Sequence, residues 1–301
     1  MEPAENRNGA LYTVVLIAAM LSVAHAAIFV RMADADPMVI AAYRMLIAAA
    51  VVLPVALYGA RGEISRLTAR DWKLLGFGSL LLALHFATWI EGVARTSIAN
   101  SVVLVTLTPV WLALWSAIAL RRPPGRATWL AVVLAVAGSA VMAWGSVRVG
   151  LGTLIGDALA LAGGMFFAAF FLVAEDARRR LGTLAFVALV YAGAALLLWI
   201  PVAGQGLTVT GFSGETWFAL VAIGLVSQVV GHSGFNWAVR ALSPMFLALV
   251  LLSEPVLSAG LGWLYFREGF GIETVIGGSL ILGAIWLGMR AELPRRAEPA
   301  G

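Results

Sequence analysis

The chain predicts an all-α polytopic membrane protein, with ten transmembrane helices arranged as two inverted five-helix repeats. Three observations carry that reading. Of 301 residues, 61% are hydrophobic and only 12% charged, about half the charge of an average soluble chain, and mean hydropathy is +0.95. Ten apolar stretches follow one another, each near the roughly 20 residues a helix needs to cross about 30 Å of hydrocarbon. Thr108-Pro109 of the fourth stretch is echoed by Glu254-Pro255 of the ninth, 146 residues on. Five is odd, so a duplicated five-helix unit enters the bilayer the other way up.

The spans are expected at 10–30, 37–58, 74–93, 97–120 and 127–147, then at 151–174, 183–203, 216–239, 243–266 and 270–289. Turn signals separate them: Asp36-Pro37, the run Arg121-Arg122-Pro123-Pro124-Gly125, Gly150 with Gly152, and Ser243-Pro244. The repeats are expected over residues 1–148 (helices 1–5) and 149–301 (helices 6–10). A cleaved signal peptide is the alternative for the start, with 11–23 as its apolar region and Ala24-His25-Ala26 as the cleavage site. Against it, the apolar run continues to Val30, and a single Arg precedes it beside two Glu.

Net charge is +4 and the pI is near 10.0, yet the basic residues sit in short connections and form no stripe for nucleic acid. They report orientation instead. Leaving out Arg44, which lies inside the second span, the side of the N-terminus holds fifteen: Arg7, Arg61, Arg66, Arg70, Lys73, Arg121, Arg122, Arg126, Arg178, Arg179, Arg180, Arg240, Arg290, Arg295 and Arg296. The opposite side holds four: Arg31, Arg95, Arg148 and Arg267. Both termini are therefore expected in the cytoplasm, in a bacterial-type inner membrane. With no cysteine in the chain, disulfides and thiolate metal sites are excluded.

Laying 93–140 over 239–286 places Ser97 on Ser243, Pro109-Val110 on Pro255-Val256, Arg121 on Arg267, Gly125 on Gly271 and Thr128 on Thr274. The shared spacing across a helix, a loop and the next helix argues for duplication.

These features resemble the drug/metabolite transporter superfamily, in particular its EamA family: ten spans in two halves, Pro37 then Arg44 early in the second span, a proline midway along spans four and nine, and Arg121-Arg122 and Arg267-Glu268 after them. The overall pattern and the histidine of the third span are similar to the YddG-type exporters of aromatic amino acids. The resemblance implies a central cavity built by spans one to four and six to nine, and it implies export. Thr108 stands where the second half has Glu254, so two symmetric carboxylates are not expected.

Polar residues inside spans mark a pathway on independent grounds, because each ionisable group there costs about 2.5–3.5 kcal/mol on insertion scales. Gly224, Gln228, His232 and Asn236 recur every four residues along one stripe of the eighth span. His85, Thr88 and Trp89 share a face of the third. Adding 146 to His85 gives Gly231, next to His232, so both histidines read either as pathway residues or as bonds between neighbouring helices. His25 lies nearer the outer end of the first span. Pro109 and Pro255 remove amide donors from the Val105 and Leu251 carbonyls and should kink their helices. Glu254 reads equally as a proton carrier and as a protonated structural acid bonded across helices. Arg44 is expected to snorkel or to brace Asp34 or Asp36 rather than to attract a substrate carboxylate. Asp157 and Glu273 are expected to be interfacial. Tyr191 is a wall residue of the seventh span.

Of eleven tryptophans, only Trp89, Trp111, Trp115 and Trp263 stand clear of span ends. Gly156, Ala160 and Gly164 on the sixth span, and Ala131, Ala135, Ser139 and Ala143 on the fifth, form small-residue stripes that permit close helix contact. No HExxH, G-x-S-x-G or phosphate loop is present, so neither an enzyme nor an ATP-driven pump is expected, and no cofactor. Three histidines and Glu254 come from separate helices without a paired motif, which disfavours a metal site. The expected function is a carrier working by alternating access on amino acids that are aromatic or otherwise large and apolar, and on related amphipathic metabolites. Its partners are that small-molecule substrate and membrane lipid, with the oligomeric state open. The expected pathway residues are His85, Thr88, Trp89, Thr108, Tyr191, Gln228, His232, Ser253 and Glu254. Export of other small metabolites or drugs is the alternative, and metal-ion transport a weaker one.

Overall fold

The computed structural model describes residues 4–118, 121, 123–144, 150–267 and 271–292. Outside them lie 119–120 of the expected fourth span, 145–147 of the fifth and 270 of the tenth. Arg122, Arg148, Glu268, Arg295, Arg296 and the expected boundary at 148 also fall outside. Among the described residues the regular structure is entirely helical, with no strand.

Local chemistry sets the helix ends. The first expected span is α1 (Ala4–Ala24) followed by α2 (Ala26–Met32), parted at His25. α3 (Pro37–Gly59) begins where the Asp36 carboxylate accepts the Met38 amide at 2.8 Å, with Pro37 in the first turn. α4 (Arg61–Ile64) is a single turn. α5 (Ala69–Arg95) starts five residues before the apolar run, because Thr68 and Asp71 cap it reciprocally. Asp71 accepts the Thr68 amide at 2.9 Å and Thr68 Oγ1 accepts the Asp71 amide at 3.3 Å. The fourth span is broken into α6 (Ile98–Val105) and α7 (Thr108–Ile118). α8 (Arg126–Trp144), α9 (Leu151–Arg178) and α10 (Thr183–Gly204) follow. The eighth span is composite: α11 (Gly214–Ala222), a π-helix over Ile223–His232, and α12 (Ser233–Ala238). α13 (Pro244–Leu251) and α14 (Glu254–Phe266) share the ninth, and α15 (Ile272–Glu292) is the last.

Among the described residues, eight stretches are long and apolar enough to cross a bilayer: Ala10–Met32, Pro37–Gly59, Ala69–Arg95, Asn100–Ile118, Leu151–Arg178, Thr183–Gly204, Gly214–Ala238 and Pro244–Tyr265. Arg126–Met142 and Ile272–Gly288 are apolar but shorter. Large apolar side chains face outward, Leu196 at 73% and Ile118 at 73% exposure among them. An outward face of that kind calls for hydrocarbon as its solvent.

The 146-residue spacing reappears in the helix ends. α3, α6, α7 and α8 begin 146 residues before α10, α13, α14 and α15. Ser97 accepts the Asn100 amide and Ser243 the Phe246 amide, both at 3.1 Å. Arg121 and Arg267 both lie in the left-handed region, at φ 52° and 56°, and Arg267 closes α14 there.

The described residues form two compact units, one drawn from Met1–Ala83 and Val173–Leu242, the other from Leu84–Leu172 and Ser243–Gly301. Each takes a part of both sequence halves. In the first, α3 packs on α10 with Gly59 against Leu184, so these repeat partners run antiparallel. The π-helix packs on α1 and α3 through Gly231 against Val23 and Gly224 against Ile47, while Ser227 Oγ donates to the Ser22 carbonyl at 2.9 Å. In the second unit, α13 packs on α7 and α14 on α6, an antiparallel crossing at the two breaks. α8 and α15 are also antiparallel, because Gly138 meets Leu280 and Ile281 while Met142 meets Gly277. Ala131, Ala135, Met142, Ile281 and Ala284 fill that seam with Val103, Leu249 and Leu252.

The seam depends on two missing side chains. A Cβ on Gly138 would stand 2.7 Å from the Gly277 carbonyl oxygen and 2.9 Å from Leu280 Cβ. Gly138→Val should therefore lower unfolding stability by about 1–3 kcal/mol. Gly283→Ala, on the same helix pair but with no neighbour within 4 Å of its Cβ, should change it by less than about 1 kcal/mol. Thermal unfolding of the detergent-purified protein reads both.

Candidate functional site

In the second unit, proline opens two helices. Pro109 has no amide to give the Val105 carbonyl, and the adjacent Thr108 hydroxyl donates to it instead at 3.0 Å. Gly164 of α9 lies against the same carbonyl, where a Cβ would be 2.5 Å from the oxygen. Thr106 Oγ1 donates to the Val102 carbonyl at 2.8 Å, and Ser253 Oγ to the Val250 carbonyl at 2.7 Å. The Thr108 hydroxyl thus stands in for the amide that Pro109 lacks, while the Val102 and Val250 carbonyls also accept the Thr106 and Ser253 amides, both at 3.1 Å. Glu254, 5% exposed, occupies the first turn of α14, where the helix dipole favours negative charge.

His85 of α5 is 4% exposed and sits among aromatic rings of the same unit. Phe86 lies 4.5 Å away, Phe167 of α9 4.6 Å away with its plane within 21°, and Trp89 6.3 Å away with its plane within 6°. His85 Nδ1 lies 2.9 Å from the Gly163 carbonyl. A carbonyl only accepts, so Nδ1 carries the proton in this bond. Gly163 permits this approach, since a Cβ there would be 3.1 Å from Trp89 Cβ. Thr88 turns its hydroxyl back to the Leu84 carbonyl at 2.7 Å.

The first unit holds a polar cluster on the π-helix. Gly224, Gln228, His232 and Asn236 are all buried, as the four-residue stripe predicts. Arg44 is fully buried and donates from Nε to Gln228 Oε1 at 2.8 Å. The expected snorkelling is therefore not seen, because this amide accepts the guanidinium inside the unit. Tyr191, also fully buried, has its hydroxyl 3.0 Å from Ser233 Oγ. Asn236 Nδ2 donates to the His232 carbonyl at 2.9 Å. Gln228 Nε2 and Asn236 Oδ1 are buried without a hydrogen-bond partner among the described residues.

His85, Thr88, Trp89, Thr108, Ser253 and Glu254 thus fall in one unit, and Tyr191, Gln228 and His232 in the other. Among the described residues no three His, Asp or Glu side chains converge as metal ligands. Sequence reasoning missed Phe167, although Gly163 and Phe167 share a helix face at i, i+4. It also counted Arg178 only as a surface cation. Arg178 is 2% exposed, and its guanidinium donates to the Asn236 carbonyl at 3.0 Å, the Leu181 carbonyl, and Thr183 Oγ1.

Removing the acceptor for a buried guanidinium is costly. Gln228→Leu should lower unfolding stability by roughly 1.5–3 kcal/mol, while Gln228→Glu, which keeps an oxygen at that place, should retain most of it. Detergent-phase thermal unfolding distinguishes the two.

Comparison with known proteins agrees with this architecture. An "uncharacterized transporter" of Archaeoglobus fulgidus is 24% identical over 265 residues, covering 87% of this chain and 90% of that protein. A solved crystal structure superposes with a TM-score of 0.77 over 96% of this chain and 99% of its own, at 20% identity, a likeness of fold. The EamA-like transporter family pattern matches twice, at residues 10–144 and 154–290. The doubled match covers nearly the whole of this helical, outwardly apolar chain, which belongs to the EamA-like transporter family.

Proposed function

We propose that this membrane transporter exports amino acids with aromatic or large apolar side chains, and related amphipathic metabolites, by alternating access. The observation that carries the substrate class is His85 set among Phe86, Phe167 and Trp89: a polar atom fixed in a buried aromatic wall suits a ligand with one polar end and one apolar end. The second cluster supports it, because Gln228 Nε2 and Asn236 Oδ1 give a buried donor and acceptor with hydrogen-bonding capacity left. Broken spans four and nine support alternating access, since interrupted helices place polar backbone at membrane depth. Antiparallel packing of repeat partners within each unit supports inverted halves. In this reading Arg126–Met142 and Ile272–Gly288 also cross, making ten spans. Both termini lie in the cytoplasm of a bacterial-type inner membrane. Direction follows the family resemblance.

Efflux of labelled phenylalanine, tryptophan and threonine from proteoliposomes tests the proposal. Phenylalanine and tryptophan should leave saturably and show counterflow. His85→Ala should reduce their kcat/KM about tenfold, the scale of one lost apolar contact set, and Glu254→Gln should slow transport as well. Unchanged transport in both variants at normal expression removes the site assignment. Because the chain has no cysteine, Ser65→Cys gives a single thiol between the second and third spans. It should react with impermeant maleimide only after the cytoplasmic face is opened.

A further inference from the structure

One end of the first unit has more cations than its carboxylates can serve. Glu63 accepts the Gly182 amide at 2.5 Å. Asp71 accepts from Thr68 Oγ1 at 2.6 Å and pairs with Arg180 at 2.8 Å. Glu175 pairs with Arg179 at 3.2 Å, and Asp176 with Arg70 at 3.3 Å. Arg178 is buried and held by the Asn236 and Leu181 carbonyls and Thr183 Oγ1. Every acid of this end whose side chain is described is therefore engaged, and four cations remain: Arg61, Arg66, Lys73 and Arg240, all exposed and without an acidic partner among the described residues. They belong to one neighbourhood. Glu63, two residues from Arg61, and Arg240 both act electrostatically on Arg178, while Asp71, two residues from Lys73, holds Arg180.

Their depth is fixed by the helices that carry them. Arg61 follows the span Pro37–Gly59 by two residues, Arg240 follows Gly214–Ala238 by two, and Lys73 is the fifth residue of Ala69–Arg95. Trp72 beside Lys73 is 51% exposed, as an indole at the headgroup level would be. A phosphodiester of the lipid occupies that depth, accepts paired guanidinium donors, and attracts juxtamembrane cations. A bulky polyanion would have to reach charges that stand at, or within a few residues of, the ends of these spans.

We infer that Arg61, Arg66, Lys73 and Arg240 form a docking surface for anionic phospholipid headgroups. With the orientation proposed above, this is the cytoplasmic leaflet. The lipid neutralises the surplus charge and holds the α3–α5 connection and the end of α12 at a fixed depth.

Native mass spectrometry of the full-length protein, exchanged into mixtures of phosphatidylglycerol and phosphatidylcholine, tests it. The wild type should retain phosphatidylglycerol preferentially, with the preference falling as salt rises. At about fivefold per cation, the variant Arg61→Gln/Arg66→Gln/Lys73→Gln/Arg240→Gln should lose at least tenfold of it. Arg31→Gln/Arg267→Gln, at other span ends, should keep it. The half variants Arg61→Gln/Arg66→Gln and Lys73→Gln/Arg240→Gln should each fall between, which guards against misfolding of the quadruple variant. Equal lipid preference in wild type and all these variants overturns the inference. So does a preference indifferent to salt, or wild-type binding of an oligonucleotide or acidic peptide with no preference among lipids. Selective lipid retention by protein that moves no amino acid supports this inference while ending the substrate proposal.

Discussion

Backbone hydrogen bonding in hydrocarbon governs how this chain is built. A carbonyl without a donor is costly where no water can reach it, so unbroken helix is the default and each interruption must carry its own remedy. At Pro109 the remedy is adjacent: the Thr108 hydroxyl supplies the donor that proline lacks. Thr106 and Ser253 add hydroxyl bonds to the Val102 and Val250 carbonyls, which their own amides already reach. The first opening is stable because a hydroxyl beside it takes the place of the missing amide. The polar atoms that result are concentrated halfway along two spans.

Close helix approach follows from the same solvent. Lipid tails are as apolar as leucine, so association relies on contact area rather than on the expulsion of water. The Gly138 and Gly277 backbones meet directly, and Gly224 and Gly231 let the π-helix reach α3 and α1. His85 depends on this as well. Its bond to the Gly163 carbonyl exists because residue 163 has no side chain to hold α9 away from Trp89.

Much of this was legible in the sequence, and for identifiable reasons. Pro37 and Asp36 announced the start of α3, and Pro109 and Pro255 announced the breaks, because these residues act on their own backbone. The 146-residue spacing recurs in the ends of eight helices, since caps and turns are local. The burial of Gly224, Gln228, His232 and Asn236 followed from periodicity. What was not legible was long-range. Nothing in Ile223–His232 signals a π-helix, which depends on what packs against it. Arg44 looked free to reach the surface until Gln228, 184 residues away, was placed beside it. Arg178 reads as one of three consecutive arginines, and only tertiary structure separates the buried one from its exposed neighbours. The composition of each unit from both halves of the chain is a property of topology, which hydropathy does not encode.

Arg121 and Arg267 occupy a backbone region that costs an L-residue roughly 1–2 kcal/mol and glycine almost nothing, and Arg267 ends α14 in it. Twice, at matching positions, the chain has a guanidinium where the cheaper backbone was open to it. At 267 that group lies over the Trp263 ring, 5.7 Å from its centre. The reach of α14 is then metered by where a permanent cation leaves the oil, so the helix carries its own depth gauge.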